Sequence, residues 1–220
     1  AHAFGTKYQG NRVGGFGDIA CFSFDGVKNI TSGEGGCVVT NDLDVLERVQ
    51  DARLLGVEKD TAMRYLNHRS WEFDVSEQGW RFHMSNIMAA IGIEQLKNFP
   101  KMAKKRKLLA SHYDDLLKGH QVIQALSNDY SVVVPHIYVV RILGMNNRNL
   151  IQEQLLKLGI QTGIHYKPNH ILSLYKQKTS LPLNCTDSVS EELLTLPLHP
   201  DLNVDDIEYV IKMLTRVCIL

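Results

Sequence analysis

The sequence predicts an α/β fold, and three observations lead to this prediction. Short apolar runs rich in β-branched and aromatic residues lie near the start of the chain, separated by glycine-rich turns. Longer segments with apolar residues at helical spacing follow, and the second half alternates between the two patterns. The 220 residues are 44% hydrophobic and 22% charged, which is typical of a folded protein with a substantial core.

The first predicted elements are two strands and a helix. The glycines of NRVGGFGD precede a strand at 19–24, and a second strand covers 36–40. Asn41-Asp42 is a typical helix start, because short polar side chains accept hydrogen bonds from the first turn. Leu43 and later apolar residues follow at helical spacing, and Gly56 is a plausible stop.

Residues 57–82 have weak periodicity and several aromatic side chains, so we expect an irregular segment there. The aromatics from Trp71 to Phe82 fit a core or a dimer interface better than a substrate cradle. Ser85 is a typical N-cap for the following helix, which we expect Pro100 to break. A second long helix is predicted at 101–119, so a domain boundary falls near residue 100.

The rest of the chain is predicted to alternate between strands and helices. A strand at 132–142 precedes a helix at 149–158, and Gly159 is a typical C-cap. A strand is expected at 160–166 and a short helix from 190 to 197. Asp205-Asp206 is expected to cap a last amphipathic helix.

Charge and cysteine content exclude several classes of function. Lysine plus arginine and aspartate plus glutamate each count 24, which does not favour nucleic acid or an anionic membrane as partner. The Lys/Arg cluster at 101–107 is interpreted as a solvated helix face, and no apolar run is long enough to span a bilayer. Four cysteines without close pairing indicate reduced thiols in a cytoplasmic protein. The opening AHAFGTKYQG has neither a methionine nor a signal-peptide pattern.

The stretch FSFDGVKNITSGEGGCVV places Lys28 between an apolar strand and a run of glycines. A phosphate-binding P-loop is excluded, because no glycine directly precedes the lysine and Asn29 follows it. A structural lysine and a Schiff-base lysine remain open. In the second interpretation Ser23 supplies a hydroxyl to a phosphate group, and Gly33, Gly35 and Gly36 let the backbone approach closely.

The same stretch resembles the lysine motif of the DegT/DnrJ/EryC1/StrS family of pyridoxal-phosphate enzymes, mostly nucleotide-sugar aminotransferases. The resemblance extends to AHAFGTKYQGNRVGGFGDIACFSF, GWRFHMSNIMAAIGIEQL, GIQTGIHYKPNH and LLTLPLHPDL, in the same order. It implies the C-terminal part of a fold-type I, aspartate aminotransferase-like enzyme. Residues 1–100 are then the end of the large cofactor-binding domain and its sheet, and residues 101–220 are the small α+β domain.

The family's site residues are carried over position by position. Lys28 is implied to form the Schiff base, Ser23 to bind the cofactor phosphate, and His2 to lie near the ring hydroxyl. His83 stands where the family usually has Arg or Asn, which reaches the phosphate of a cofactor bound mainly by the other subunit. The resemblance implies sugar-nucleotide contacts from three further residues, which are His165, Tyr166 and His170.

Simpler interpretations remain for these histidines. His2 fits a surface residue at the start of the chain, and His83 fits a capping donor at a helix start. His165, His170 and His199 suggest zinc by number alone, but their spacing matches no ligand pattern, so we expect no metal.

The resemblance implies transfer of an amino group from an amino acid, glutamate by expectation, to a keto-sugar nucleotide in polysaccharide or amino-sugar biosynthesis. It also implies a cytoplasmic homodimer. The alternatives are a non-catalytic or split fragment, or a related sugar dehydratase, in which histidine replaces the lysine.

In the family an acidic pair directly precedes the segment AHAFG, and its aspartate keeps the cofactor's pyridine nitrogen protonated. This chain begins just after that position, so about half of a typical member, including that aspartate, is expected to be missing. We therefore expect the chain alone to bind pyridoxal phosphate weakly or not at all. We also expect it to associate through the apolar surface that the missing half leaves open.

Overall fold

A computed structural model describes residues 1–58, 73–126, 128–144, 147–176 and 182–219. The chain divides into two compact units, Ala1–Pro100 and Lys101–Leu220. Both strands and helices occur, so the predicted mixed α/β class is confirmed. Trp71, which belongs to the predicted aromatic segment, lies outside the described residues.

The first unit contains two antiparallel hairpins and the helical segments that follow them. Its strands are β1 (Lys7–Tyr8), β2 (Asn11–Arg12), β3 (Ile19–Ser23) and β4 (Gly36–Thr40). Helix α1 spans Leu43–Ala52, and helix α2 spans Asn86–Leu117, of which residues 101–117 belong to the second unit. Strand β1 pairs with β2, and β3 pairs with β4 in a register that runs from Ile19 opposite Thr40 to Ser23 opposite Gly36.

Both strands predicted around the lysine and the helix after them are confirmed. Asp42 is the N-cap of α1, and its Oδ1 accepts hydrogen bonds from the backbone N–H groups of Asp44 (2.9 Å) and Val45 (3.2 Å). The helix ends at Ala52, shortly before Gly56, which adopts a φ of 75°. The short polar cap therefore begins the helix as the sequence indicates, whereas its C-cap is Arg53 and the predicted stop, Gly56, lies three residues further on.

The prediction that Pro100 breaks a helix is wrong, because Pro100 lies inside the continuous helix α2. Proline removes one backbone donor from a helix, but the remaining hydrogen bonds and a buried face can outweigh that loss. The residues of α2 that follow the proline supply such a face. Its buried members are Ala103, Arg106, Leu109, Ala110, Tyr113 and Leu117.

The second unit is a three-stranded antiparallel sheet packed with helices. The strands β5 (Ile123–Ala125), β6 (Tyr138–Ile142) and β7 (Leu193–Leu196) lie in the order β5-β6-β7. The helices are α3 (Arg148–Lys157), a 3₁₀ helix (Asn169–Ile171), α4 (Ser173–Lys176), α5 (Asn184–Ser190) and α6 (Val204–Ile219). Side chains from the sheet and from α2, α3 and α6 form one hydrophobic core.

The last helix is confirmed, and its N-cap is Asn203, two residues before the predicted Asp205. The backbone N–H of Asn203 donates to Asp206 Oδ2 (2.8 Å), and that of Asp206 donates to Asn203 Oδ1 (3.1 Å). This reciprocal pair satisfies donors of the first turn. The apolar stripe from Ile207 to Val217 is buried, as the periodicity predicts.

Two predicted elements in this unit are wrong. No strand covers 160–166, where only Gly163 forms an isolated bridge with Thr195. The segment 190–197 is not a helix, because Leu193–Leu196 is strand β7 and pairs with β6. Periodicity does not distinguish a buried strand from a buried helix in so short an apolar run, and the pairing partner decides.

Arg106 is buried in the second unit, with 6% of its surface exposed. Its Nη1 donates hydrogen bonds to the backbone oxygens of His136 (3.1 Å) and Leu198 (2.9 Å). Burial lowers the pKa of the guanidinium. We expect Arg106→Met to lower the free energy of unfolding by about 2–4 kcal/mol, because two buried carbonyl groups lose a charged donor.

Urea unfolding followed by circular dichroism measures this loss. Lys104→Met is the matched control, because Lys104 lies on the exposed face of the same helix. The same midpoint for the Arg106 variant and the control would contradict the assigned role.

Two buried tyrosines make the second unit sensitive to alkali. Burial raises the pKa of Tyr113, with a smaller contribution from Asp206, and burial also raises that of Tyr138, whose hydroxyl donates to Asp114 (2.6 Å). The unfolded chain therefore ionises first, near the ordinary value of about 10, and stability present below this pH is lost above it. We expect the free energy of unfolding to fall by up to about 1.4 kcal/mol per tyrosine for each pH unit above 10.

Urea unfolding at several values between about pH 9 and about pH 11 checks this slope. Tyr138→Phe should reduce the slope, whereas Tyr209→Phe, at an exposed position, should leave it unchanged. A flat stability profile in the unchanged protein would contradict the prediction.

Candidate active site

Lys28 lies in the loop that joins β3 to β4, and backbone hydrogen bonds connect the two ends of this loop. The backbone N–H of Phe24 donates to Gly35 O (2.8 Å), and that of Ser32 donates to Phe24 O (2.9 Å). Thr31 Oγ1 donates to the same Phe24 oxygen at 3.2 Å. The loop is therefore a continuation of the hairpin, held by its own backbone.

Inside the loop a tight turn presents Lys28. The backbone N–H of Lys28 donates to Asp25 O (3.0 Å), and that of Val27 donates to Asp25 Oδ1 (3.1 Å). Asn29, Ile30 and Ser32 follow directly and are buried, whereas Lys28 is half-buried. The backbone of the lysine is thus anchored on both sides, and its side chain extends from a rigid support.

The start of the chain packs against this loop. Asn29 Nδ2 donates to the backbone oxygen of Phe4 (3.1 Å). The Phe4 ring meets those of Phe22, Phe24 and Phe99 edge-on, with centroids 5.4, 6.2 and 5.0 Å away. His2, two residues before Phe4, is exposed at the end of this anchored segment.

Ser23 lies at the end of β3, where the strand enters the lysine loop. Its Oγ accepts a 3.4 Å hydrogen bond from the backbone N–H of Asp25, the residue that forms the turn before Lys28. The hydroxyl predicted to bind phosphate thus lies at the base of the turn.

An open, mainly apolar groove of about 870 Å³ borders the other end of the loop. Its lining includes Cys37, Val38, Leu46, Trp80, His83 and Met84. His83 is half-buried, and its buried Nδ1 makes no hydrogen bond with any described residue. The segment that carries His83 therefore meets the glycine end of the lysine loop.

Gly35 makes this close approach possible. Its φ is 146°, and a Cβ at this position would lie 2.5 Å from Met84 Cε and 2.7 Å from Ser32 Oγ. Both distances are below any normal contact, so a larger residue would force the Met84 methyl group and the Ser32 hydroxyl to move, and it would be strained at this φ.

The thiol in the groove is a weak nucleophile. Burial raises the pKa of Cys37, and the nearby Cys21 raises it further. Because the thiolate is the reactive form of cysteine, a raised pKa makes the Cys37 thiol less reactive at neutral pH. No salt bridge or hydrogen bond engages the Lys28 amino group within the described part of the chain.

The structure brings together His165, Tyr166 and His170 in one segment of the second unit. His165 Nδ1 lies 2.9 Å from Thr195 Oγ1, and the His165 and Tyr166 rings meet edge-on. His170 Nε2 lies 2.6 Å from Asp187 Oδ1. These contacts hold the three side chains that were predicted to bind substrate in defined positions.

Sequence reasoning missed the residues that hold these side chains in place, namely Asn29, Asp187 and Thr195. In the sequence Asn29 is only the residue that follows the lysine, and its burial and its contact with Phe4 are visible in the structure alone. No spacing rule links His170 to Asp187 or His165 to Thr195, because each pair forms only when the unit folds.

The described residues lack two further features. They contain no helix with the length and apolar character needed to cross a membrane. Nor do they contain three or more histidine, cysteine or acidic side chains grouped as metal ligands.

Comparison with known proteins gives a consistent result. The model of the DegT/DnrJ/EryC1/StrS aminotransferase family matches residues 1–215. The UDP-4-amino-4,6-dideoxy-N-acetyl-β-L-altrosamine transaminase of Campylobacter jejuni is 31% identical over 214 residues, which are 96% of this chain and 55% of that protein. The chain spans a little over half of the length of the relatives it matches.

Solved structures agree with the sequence match. Helicobacter pylori PseC, an aminotransferase of pseudoaminic acid biosynthesis, has a TM-score of 0.88 at 31% identity, covering 99% of this chain and 57% of that one. The putative sugar aminotransferase Spr1654 of Streptococcus pneumoniae in its PMP form gives 0.88 at 31% identity, with the same coverage, and a PLP form is also matched. With the lysine loop and the family match over nearly its whole length, the chain belongs to the DegT/DnrJ/EryC1/StrS aminotransferase family.

Proposed function

We propose that this chain is the Lys28-bearing part of a pyridoxal-phosphate-dependent aminotransferase that moves an amino group from glutamate to a keto-sugar nucleotide. The observation that carries the proposal is the anchored turn that presents Lys28 from a closed loop. Lysine at this position favours transamination over the dehydratase alternative, which uses histidine. The product would serve polysaccharide or amino-sugar biosynthesis in the cytoplasm.

The residues around the turn fit the cofactor chemically. An aldehyde requires a primary amine, and no described residue pairs with the Lys28 amino group. A phosphate group requires hydroxyl and N–H donors, which Ser23 and the glycine-rich end of the loop supply. The buried Nδ1 of His83, which has no hydrogen-bond partner among the described residues, would offer a polar contact to the cofactor bound mainly by the other subunit. We assign His2 to the ring hydroxyl, because its segment is tied to the loop through Asn29.

The chemistry divides between cofactor and chain. Bound pyridoxal phosphate would supply the aldehyde that carries the amino group and a ring that withdraws electrons from the breaking bond. Lys28 would hold the cofactor and then move a proton from the α-carbon of the amino donor as a general acid and base at Nζ. The buried Asn29 and Ile30 keep the lysine backbone still, so that this proton transfer occurs over a constant distance.

The division of labour between the two units is also part of the proposal. Residues 1–100 belong to the cofactor-binding domain, and residues 101–220 form the small domain. His165, Tyr166 and His170 would contact the sugar nucleotide. The assembly we propose is a homodimer, in which His83 approaches a cofactor bound mainly by the other subunit.

The absorption spectrum of the full-length protein tests the proposal. Pyridoxal phosphate should give a near-visible band, which borohydride reduction fixes on Lys28, as peptide mapping would reveal. Glutamate should discharge the band, and so should the amino sugar nucleotide named for the Campylobacter relative, which serves as the probe for the sugar side. A band that neither amine discharges would refute the proposed function.

A further inference from the structure

Contacts among the described residues tie the segment that carries His165 and His170 to the rest of the second unit. The backbones of Gly163 and Thr195 exchange hydrogen bonds of 3.0 and 2.8 Å. His165, two residues after Gly163, forms a hydrogen bond between its Nδ1 and Thr195 Oγ1 (2.9 Å). His170 Nε2 forms a hydrogen bond with Asp187 Oδ1 (2.6 Å). The contacts with Thr195 hold the beginning of the segment, and among the described residues Asp187 is the hydrogen-bond partner of the His170 ring.

Asp187 lies in helix α5, where two hydrogen bonds hold its backbone. Its backbone N–H donates to Leu183 O (2.9 Å), and its backbone oxygen accepts from Ser190 Oγ (3.0 Å). Ser190 is buried, and its backbone oxygen accepts a hydrogen bond from Arg148 Nη1. The carboxylate therefore stands on a helix turn that is anchored to the rest of the unit.

The chemistry of the pair determines which nitrogen of His170 carries the proton. The ring is largely buried, with 16% of the side chain exposed, and it meets a carboxylate that is 52% exposed. An ionised carboxylate only accepts hydrogen bonds, so Nε2 must donate. In a neutral imidazole the other nitrogen, Nδ1, then has a free lone pair. Among the described residues, none forms a hydrogen bond with Nδ1.

We propose that Asp187 is a positioning residue that holds His170 as the Nε2–H tautomer, so that Nδ1 accepts a hydrogen bond from a hydroxyl or N–H group of the sugar nucleotide. The inference rests on the proposed function for the sugar nucleotide, but the tautomer does not depend on it. A lone pair at Nδ1 disfavours phosphate oxygens, which are acceptors as well. His170 thus selects the sugar or nucleoside part of the substrate rather than its diphosphate.

Imidazole ¹⁵N correlation spectra of the protein at about pH 8 test the tautomer. His170→Gln assigns the signals, and we expect a protonated Nε2 with an unprotonated Nδ1. Asp187→Asn should shift both signals towards a mixture of tautomers, because the amide can donate as well as accept. A dominant Nδ1–H form in the unchanged protein would overturn the inference. So would His170 signals that Asp187→Asn leaves unchanged.

The pair His199 and Asp201 supplies a matched control. Its Nδ1 and Oδ2 atoms are 4.0 Å apart, and both side chains are exposed, so the contact is loose. Asp201→Asn should leave the spectrum of His170 unchanged and should change that of His199 little.

Amino-group donation to the full-length, cofactor-loaded protein separates positioning from a general structural role. Glutamate and the amino sugar nucleotide discharge the same absorption band, so only the donor differs. We expect Asp187→Asn to raise the apparent KM for the amino sugar nucleotide about tenfold more than that for glutamate, the effect of one hydrogen bond. Asp201→Asn should change neither value.

An equal rise of the apparent KM for both donors would overturn the inference, because a merely structural role of Asp187 would impair both donors alike. Failure of both donors with the unchanged protein would instead refute the proposed function. In that case the ¹⁵N spectra still decide whether Asp187 sets the tautomer of His170.

Discussion

Lys28→Ala is expected to lower turnover of the full-length protein by at least about a thousandfold, because it removes the general acid and base together with the attachment point. This loss corresponds to about 4 kcal/mol or more of transition-state stabilisation. The fold should persist, since the buried anchors of the loop, Asn29, Ile30 and Ser32, remain. Steady-state rates and circular dichroism measure the two effects separately.

Lys97→Ala is the matched control for this variant. Lys97 lies on helix α2 in the same unit, is exposed, and forms only a surface ion pair with Glu94 (2.6 Å). We expect its activity to remain close to that of the unchanged protein. If Lys28→Ala keeps activity within about tenfold of that of the unchanged protein, Lys28 is not the general acid and base.

The second large effect concerns the apolar surface of the first unit. Among its described residues, Ile30 is the one apolar side chain that is fully buried, whereas Phe82 and Ile87 are 75% and 77% exposed. The second unit, by contrast, encloses a continuous core. Exposed apolar area of this extent is typical of a surface that another chain or domain covers. We therefore expect the 220-residue chain to associate in solution.

Sedimentation velocity over a range of concentrations measures this association. Ile87 and Ile91 are one helical turn apart on α2 and are both exposed, so Ile87→Lys with Ile91→Lys places two charges on this surface. We expect the double variant to raise the dissociation constant at least about a hundredfold, from about 1.5 kcal/mol lost per isoleucine.

Leu108→Lys provides the control for added charge. Leu108 lies on the same helix in the second unit and is 49% exposed, so its change leaves the first unit intact. A chain that remains monomeric at every concentration would refute the association. If the double variant associates as strongly as the unchanged chain, the contact lies outside the surface around Ile87 and Ile91.

The elements that were predicted correctly are those with local signals. Strand β4 and helix α1 begin and end near residues whose preferences are intrinsic, such as the Asp42 cap and Gly56. The last helix has both an acidic cap and an apolar stripe. In each case the determining interactions join residues only a few positions apart, so the sequence carries them directly.

The elements that were predicted wrongly depend on distant partners. Leu193–Leu196 forms a strand because β6 lies beside it, and α2 passes through Pro100 because a buried face continues after it. Short apolar runs and single prolines are ambiguous until such neighbours are known.

The site divides in the same way. Lys28, Ser23 and the glycines that border the loop are candidates that the sequence itself supplies, and their roles stay predictions. The two strands beside the lysine were expected to be buried, but neither contains a buried residue, because the first unit leaves much of its apolar surface exposed. The support of that lysine was not recognisable, because the Asn29 contact with Phe4 spans 25 residues. The pairing of His170 with Asp187 spans 17. Local sequence thus specifies which groups are present, and only the packed chain sets their distances and partners, because hydrogen bonds of this kind form when burial brings separated segments together.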